Sequence, residues 1–243
     1  MSKLYVVGIG PGGVKGMTLE AFEALNSCEA IVGFTTYINL IRKDFVDKEF
    51  IATGMGKEKE RCIMALERAL DGDNVAMICS GDASVYGMAG LIYELAQDYP
   101  AVEIKTIAGV TAALSGSALL GAAAGHDFAC VSLSDYMITW EKISDRLTHL
   151  ALADMVMALY NTRSHKRPDG LKNACEILLK VLPEDTCCGV AVNIGREDEF
   201  YKTMTLLELK DYEADMFTTA FIGNSTTRII NGRLITPRGY LNV

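Results

Sequence analysis

Two hydrophobic patterns alternate along this chain of 243 residues. Short apolar runs with β-branched residues are typical of buried strands, whereas apolar residues three or four apart are typical of helices. In the first half, strands are predicted at 3–9, 29–32, 74–78 and 102–107. Helices are predicted at 18–26, 35–43, 57–70 and 88–97, and 45–52 resembles a poor strand or a loop. The alternation of strand and helix predicts an α/β fold.

The second half has a different rhythm. Strands are predicted at 128–133, 155–160, 187–194, 199–203, 216–222 and 233–235, and helices at 139–152 and 168–181. Short helices after Ile194 and the extra strands indicate a mixed sheet. The stretch Leu114–Gly125 is rich in Ala and Gly, which favours a hinge between domains. We therefore expect two α/β domains, 1–118 with the glycine-rich loops and 119–243 with the mixed sheet.

Composition narrows the class of protein. No window of about 18 residues lacks charges, so no membrane span is expected. No signal peptide is expected either, because a predicted strand begins at Lys3. A net charge of -8 argues against a general nucleic-acid binder. The seven cysteines form no CxxC pair and the three histidines are scattered, which predicts reduced cytoplasmic thiols and no metal site.

The stretch Cys79–Gly87, CSGDASVYG, joins a predicted buried strand to a helix. Open α/β sheets bind ligands at the carboxyl ends of their strands. Gly81 would let the backbone approach a ligand closely, and Asp82 could accept a hydrogen bond from a ligand hydroxyl or amine. Alternatively, Asp82 or Ser84 caps the following helix. Both interpretations remain open at this point.

Two more strand ends carry small residues, Gly10-Pro11 in GIGPGG and Gly109–Thr111 in AGVTAA. The first motif fits a dinucleotide site poorly because residues 14–17 separate it from the helix and the next strand ends in Gly33-Phe34 rather than in an acidic residue. Pro11 also lacks an N–H for a phosphate. The three loops can instead line one cleft.

Two stretches in the second half carry polar chemistry. Ser132-Leu133-Ser134-Asp135 leaves a strand with two hydroxyls and a carboxylate, although it could simply cap the next helix. Tyr160–Pro168, YNTRSHKRP, places three fixed cations and a histidine directly after a buried strand. A solvated loop is the simpler interpretation, but such a group suits carboxylates or phosphates, and we favour an anionic ligand.

Together these motifs, in this order, resemble the tetrapyrrole (corrin/porphyrin) methylases, and the resemblance covers essentially the whole chain. SLSD, YNTRSHKRP, VNIGRE and FIGNST are similar to the branch that methylates carbon 17 of precorrin-3B, or of its cobalt counterpart, in cobalamin biosynthesis. The chain has Gly13-Val14 where the family often has Asp-Pro, and Ala83 where it often has Pro. Neither departure removes a side chain expected to contact the cofactor.

The resemblance implies S-adenosyl-L-methionine as cofactor, held between the domains, and S-adenosylhomocysteine as product. The residues it assigns to the cofactor are Gly10, Pro11, Ser80, Gly81, Asp82, Val85, Tyr86, Thr111, Ala112, Tyr160, Asn161 and Asn193. It also implies a homodimer, since the fold's relatives are commonly homodimers.

The implied substrate is a flat tetrapyrrole with acetate and propionate arms. Arg163, Lys166 and Arg167 are expected to bind those arms, with Ser132 beside them. In this branch a ring contraction accompanies methylation and needs a proton acceptor. Asp135, Ser134 and His165 are the candidates. The sequence leaves open whether the substrate arrives with cobalt.

Rival functions share the fold or the ligand. A ribosomal RNA methylase or a protein-modifying enzyme of diphthamide synthesis would use the same cofactor, but the acidic charge and the corrin-type motifs weigh against both. A non-catalytic corrinoid carrier would not need the cofactor loops.

Overall fold

The computed structural model describes residues 3–164 and 167–240, and these divide into two compact units, 1–111 and 112–243. The first unit alternates strands and helices. Its strands are β1 (Lys3–Gly8), β2 (Ala30–Phe34), β3 (Glu49–Thr53), β4 (Val75–Cys79) and β5 (Glu103–Ile107). Its helices are α1 (Leu19–Ser27), α2 (Thr35–Ile41), α3 (Glu58–Leu70) and α4 (Ala89–Leu95). Three short 3₁₀ turns lie at Val14–Gly16, Arg42–Asp44 and Ala96–Asp98.

The first sheet is wholly parallel, in the order β3-β2-β4-β1-β5. Alternate side chains of β1 and β4 enter two different cores, with Leu4 and Met77 on one face and Val7 and Ile78 on the other. A parallel sheet that helices cover on both faces needs such continuous apolar strands. This explains the strong strand signal of residues 74–78.

The second unit contains α5 (Ala112–Leu120), α6 (Trp140–Leu152), α7 (Gly170–Leu178) and α8 (Leu206–Lys210). Its central sheet has the order β10-β9-β11-β8-β7, where β7 is Phe128–Ser132, β8 Val156–Tyr160, β9 Cys187–Val192, β10 Phe200–Thr205 and β11 Thr218–Ile222. Only the β7–β8 pair is parallel, so the predicted mixed sheet is confirmed. A smaller sheet joins β12 (Arg228–Ile230), β13 (Arg233–Ile235) and β6 (Gly121–Ala122).

The Ala- and Gly-rich stretch differs from its sequence-based interpretation as a hinge. It forms α5 and β6, and α5 belongs entirely to the second unit, whereas we expected the boundary at 118/119. A Cβ on Gly116 would lie 2.8 Å from the Phe221 ring and 3.2 Å from Ala191 Cβ. The small residues therefore let this helix approach the sheet closely.

Two further elements were missed or underestimated. The poor strand at 45–52 is the edge strand β3, whose partly exposed residues lack a continuous apolar run. Helix α8 has five residues, too few for a helical periodicity, but Thr205 and Glu208 form a capping box at its start. That capping box was the local signal available in the sequence.

We predict that Leu66→Ala destabilises the first unit by about 2–5 kcal/mol, because Leu66 is fully buried under the first sheet and its removal leaves a cavity. Leu70→Ala on the same helix is the matched control. Leu70 is 51% exposed, so its change should stay within about 0.5 kcal/mol. Urea unfolding followed by circular dichroism measures both, and equal losses would contradict the assignment of this helix face.

Candidate active site

Three loops meet at the carboxyl edge of the first sheet. Because β1 lies between β4 and β5, the chain segments that follow these strands are neighbours. The Ile9 amide donates to the Cys79 carbonyl at 2.9 Å, and Gly10 and Gly81 exchange two backbone hydrogen bonds of 2.9 and 3.0 Å. The structure thus brings together the three strand ends that the sequence analysis proposed for one site.

Glycine at these strand ends is required by the contact of one loop with another. A Cβ on Gly109 would lie 2.1 Å from the Gly81 carbonyl oxygen, and one on Gly8 would lie 2.7 Å from the Gly109 nitrogen. Gly10 and Gly81 have φ of 68° and 70°, which L side chains rarely adopt. Gly8 and Gly109 are therefore needed for the contact between the loops, and the close approach of a ligand at Gly81 stays a prediction.

Asp82 fastens two of the loops together. Its Oδ1 accepts hydrogen bonds from the Ser84 amide at 2.8 Å, the Ser84 hydroxyl at 2.6 Å and the Val85 amide at 3.0 Å. Its Oδ2 accepts from the Gly109 amide, across the loops, at 2.9 Å. The chain itself thus supplies four donors to this carboxylate, three to Oδ1 and one to Oδ2.

The capping alternative for Asp82 and Ser84 is wrong. Helix α4 begins at Ala89, its N-cap residue is Met88, and no side chain caps it. Asp82 is 8% exposed. Its burial acts to raise the pKa of the carboxyl, but the hydrogen bonds from Ser84, Gly109 and Val85 outweigh burial and hold the pKa below its usual value.

The other predicted cofactor residues of this unit border the junction. Pro11, Ser80, Val85 and Thr111 are partly exposed, and Tyr86, with φ of 56°, is 48% exposed. Thus the buried part of the loops serves the fold, and a rim of small or apolar side chains remains accessible. The cofactor contacts predicted for these residues stay predictions.

In the second unit, one hydrogen-bonded network joins the ends of β7 and β8. Asn161 Nδ2 donates to Ser132 Oγ at 2.8 Å, and the Ser134 amide donates to the same oxygen at 3.2 Å. Asn161 has φ of 55°, a left-handed conformation that Asn tolerates better than most residues. The network therefore fixes the segment that carries Ser134 and Asp135.

Arg167 reaches this segment from the cationic loop. Its Nη1 donates to Ser134 Oγ at 2.8 Å and to Asp135 Oδ1 at 2.6 Å. Ser164, which the sequence analysis missed, accepts from Arg167 Nε at 3.3 Å and exchanges two backbone hydrogen bonds with Arg167. Two candidate catalytic residues and one candidate substrate-binding residue are thus in direct contact.

Arg163 and its neighbour Thr162 contact the segment that leads into β11. Arg163 Nη1 donates to the Ala214 carbonyl at 3.2 Å, and the buried Thr162 donates to the Asp215 and Thr218 carbonyls. His165 and Lys166 lie outside the described residues.

Three more of the predicted cofactor residues lie in the second unit, namely Tyr160, Ala112 and Asn193. The Tyr160 hydroxyl accepts a hydrogen bond from the Ala113 amide at 2.7 Å, so it holds the first turn of α5, where Ala112 lies. Asn193 follows β9, has φ of 50° and is partly exposed. The cofactor contacts predicted for these three residues stay predictions.

Residues 3–164 and 167–240 contain neither a metal-binding cluster nor a membrane-spanning helix. Within those ranges, no three His, Cys, Asp or Glu residues are grouped so that they could hold a metal ion. In the same part of the chain, no helix combines the length and the apolar character needed to cross a membrane.

Comparison with known proteins identifies the family and agrees with this fold. Residues 3–210 match the family model of tetrapyrrole (corrin/porphyrin) methylases. A probable cobalt-factor III C(17)-methyltransferase of Salmonella typhimurium is 44% identical over 239 residues, which cover 98% of this chain and 99% of the relative. A precorrin-3B C(17)-methyltransferase of a Sinorhizobium species is 39% identical over 246 residues, covering 98% and 96%.

A solved structure also matches over the whole length. The crystal structure of the methyltransferase CobJ has a TM-score of 0.89 and 30% sequence identity, and the match covers 98% of this chain and 100% of that one. The fold is therefore shared with a solved methyltransferase structure. The chain belongs to the tetrapyrrole (corrin/porphyrin) methylases, which confirms the predicted family and its α/β fold.

We predict that Asp82→Asn lowers stability at neutral pH, and that the difference from the wild type narrows in acid. The folded-state pKa of Asp82 is lowered. Its stabilising contribution is therefore complete above the unfolded value of about 3.9 and is lost as pH falls through the folded pKa. Thermal unfolding at several pH values from 7 down to 3 measures this.

Asp98→Asn is the control, because Asp98 is an exposed carboxylate of the same unit. It should show no comparable pH-dependent difference. If the gap between Asp82→Asn and the wild type stays constant down to pH 3, the carboxylate does not hold the loops in the way described.

Proposed function

We propose that this chain methylates ring carbon 17 of a corrinoid precursor, cobalt-precorrin-3 or precorrin-3B, in cobalamin biosynthesis. The observation that carries the proposal is its similarity, over nearly the full length of each protein, to relatives named for that reaction on the cobalt and the metal-free substrate. The cluster of Ser134, Asp135 and Arg167 supports it, because it places an arm-binding cation beside groups able to accept a proton. Methylation and an accompanying ring contraction are both part of the proposal.

The methyl donor in this proposal is S-adenosyl-L-methionine, whose sulfonium supplies an electrophilic methyl group. The rim formed by Pro11, Ser80, Val85 and Thr111 would bind it, over a junction that Asp82 keeps rigid. Transfer to a carbon nucleophile needs the reacting atoms about 3–3.5 Å apart and in line. The loops contribute by alignment, and their close backbone packing suits that role.

The substrate's carboxylate arms would be bound by Arg163, Lys166 and Arg167. Guanidinium groups form paired, charge-assisted hydrogen bonds with carboxylates. Arg163 is exposed and uses one nitrogen for the Ala214 carbonyl, so it retains other N–H groups for a ligand. Because the protein as a whole is acidic, the positive charge of this loop would attract a polyanionic molecule to this part of the surface.

Ring contraction needs a group that accepts a proton from a ring hydroxyl or opens a lactone. We propose Asp135 for this role, with Ser134 or His165 as alternatives. Asp135 is 44% exposed at its side chain and lies at the end of a fixed segment. An exposed carboxylate on a rigid support suits general-base catalysis.

The proposal extends to a homodimer, which rests on the family resemblance alone, and to the cytoplasm, which the seven free cysteines favour. Burial raises the pKa of Cys28, Cys62 and Cys175 to about 12, so these thiols are poor nucleophiles. Light scattering on the purified protein measures the oligomeric state.

The decisive assay is anaerobic incubation of the purified chain with methyl-labelled S-adenosylmethionine and cobalt-precorrin-3, and then with metal-free precorrin-3B. We expect a gain of one methyl group by mass spectrometry and the absorption spectrum of a contracted ring. Transfer to only one of the two substrates would show whether cobalt is inserted before or after this methylation. No transfer to either would overturn the substrate assignment while leaving the family intact.

We predict that Asp135→Asn lowers the rate of ring contraction by about 10²–10⁴-fold, the usual contribution of a general base, while binding of the cofactor is retained. Asp127→Asn is the control, because Asp127 is 83% exposed and lies outside the network. Single-turnover absorption spectra measure the rate. Full ring contraction by Asp135→Asn would rule out Asp135 as the base.

A further inference from the structure

The cation proposed to bind a substrate arm and the proposed base are already bound to each other. Arg167 Nη1 carries both contacts, to Asp135 Oδ1 at 2.6 Å and to Ser134 Oγ at 2.8 Å. The side chains of Arg167 and Asp135 are 26% and 44% exposed, so solvent reaches the pair. A substrate carboxylate that binds Arg167 here has to compete with the carboxylate of Asp135.

Both ends of this contact are held by separate structures. Arg167 is anchored through its backbone and its Nε, which contact Ser164. On the other side, Ser132 Oγ fixes the Ser134 amide and is itself held by Asn161. Breaking the contacts of Nη1 therefore leaves both supports intact, so an exchange of partners requires only side-chain movement.

The strength of the contact also suits an exchange. Ion pairs with solvent access contribute little net free energy, because water and side-chain entropy compete with them. An incoming carboxylate arm can form a second, equivalent pair with the same guanidinium, which can bind a carboxylate through two nitrogens. One pair is thus replaced by another of the same kind.

We propose that Arg167 and Asp135 form a substrate-released latch. This rests on the proposed function. A carboxylate arm of the tetrapyrrole takes the place of Asp135 at Arg167, and the released Asp135 turns to the substrate and accepts a proton from its ring hydroxyl. The O–H bond of the substrate breaks and a new O–H bond forms on Asp135. The base is therefore freed only when an arm is bound beside it.

The test is equilibrium binding of cobalt-precorrin-3, followed by absorbance without S-adenosylmethionine. If Asp135 competes for Arg167, Asp135→Asn binds the substrate more tightly, by up to about fivefold, the range expected for a partly exposed pair. Arg167→Gln binds it more weakly. In the double variant, Asp135→Asn with Arg167→Gln, the gain in affinity from Asp135→Asn disappears, because the guanidinium for which Asp135 competes is absent. Asp135→Glu, which restores a carboxylate, returns affinity towards that of the wild type.

Three results would overturn the latch. The first is weaker substrate binding by Asp135→Asn, as expected if Asp135 only supports Arg167. The second is a gain in affinity that persists in the double variant. The third is an equal gain in Asp127→Asn, and reduced negative charge alone would explain either of these last two results. Thermal unfolding verifies that each variant is folded. If the wild type does not bind cobalt-precorrin-3, the proposed function itself fails, and that outcome is distinct from binding without an Arg167-dependent gain.

Discussion

The close approach of backbone to backbone at the ends of β4, β1 and β5 is the constraint on which the candidate cofactor site depends. The loops meet where Gly8 and Gly109 leave no room for a Cβ. The Asp82 carboxylate then holds two of them by four hydrogen bonds. A charge that binds its own chain so completely stabilises the loops before any ligand arrives. Rigidity of this kind is what alignment of a methyl donor requires.

The second unit positions its polar residues in a different way. Its loops after β7 and β8 are joined by side chains, with Ser132 as the shared acceptor and Arg167 as the donor that connects the two loops. Side-chain contacts near solvent exchange partners readily, whereas packed backbones do not. One unit thus provides a fixed surface, and the other provides charges that can change partners.

Much of this could be predicted from the sequence, because the relevant signals are local. The apolar runs predicted the strands, and the small residues at strand ends predicted which loops matter. The contacts that decide the roles of individual residues are not local. The Gly109 amide that donates a hydrogen bond to Asp82 is 27 residues away from it, and Arg167 is 32 residues from Asp135. A stretch rich in Ala and Gly is also ambiguous, because small residues suit both a flexible hinge and a closely packed helix. Here they form α5, which packs closely against the sheet of the second unit.

The difference between the two kinds of loop has a consequence for engineering the protein. A side chain introduced at Gly109 would meet the Gly81 carbonyl oxygen, which belongs to the backbone and cannot rotate away as a side chain can. A substitution at the glycine junction therefore disturbs two loops at once. Around Ser132 and Arg167, one polar side chain can replace another in single steps. Changes meant to alter substrate preference are therefore best made there, with the glycine junction left as it is.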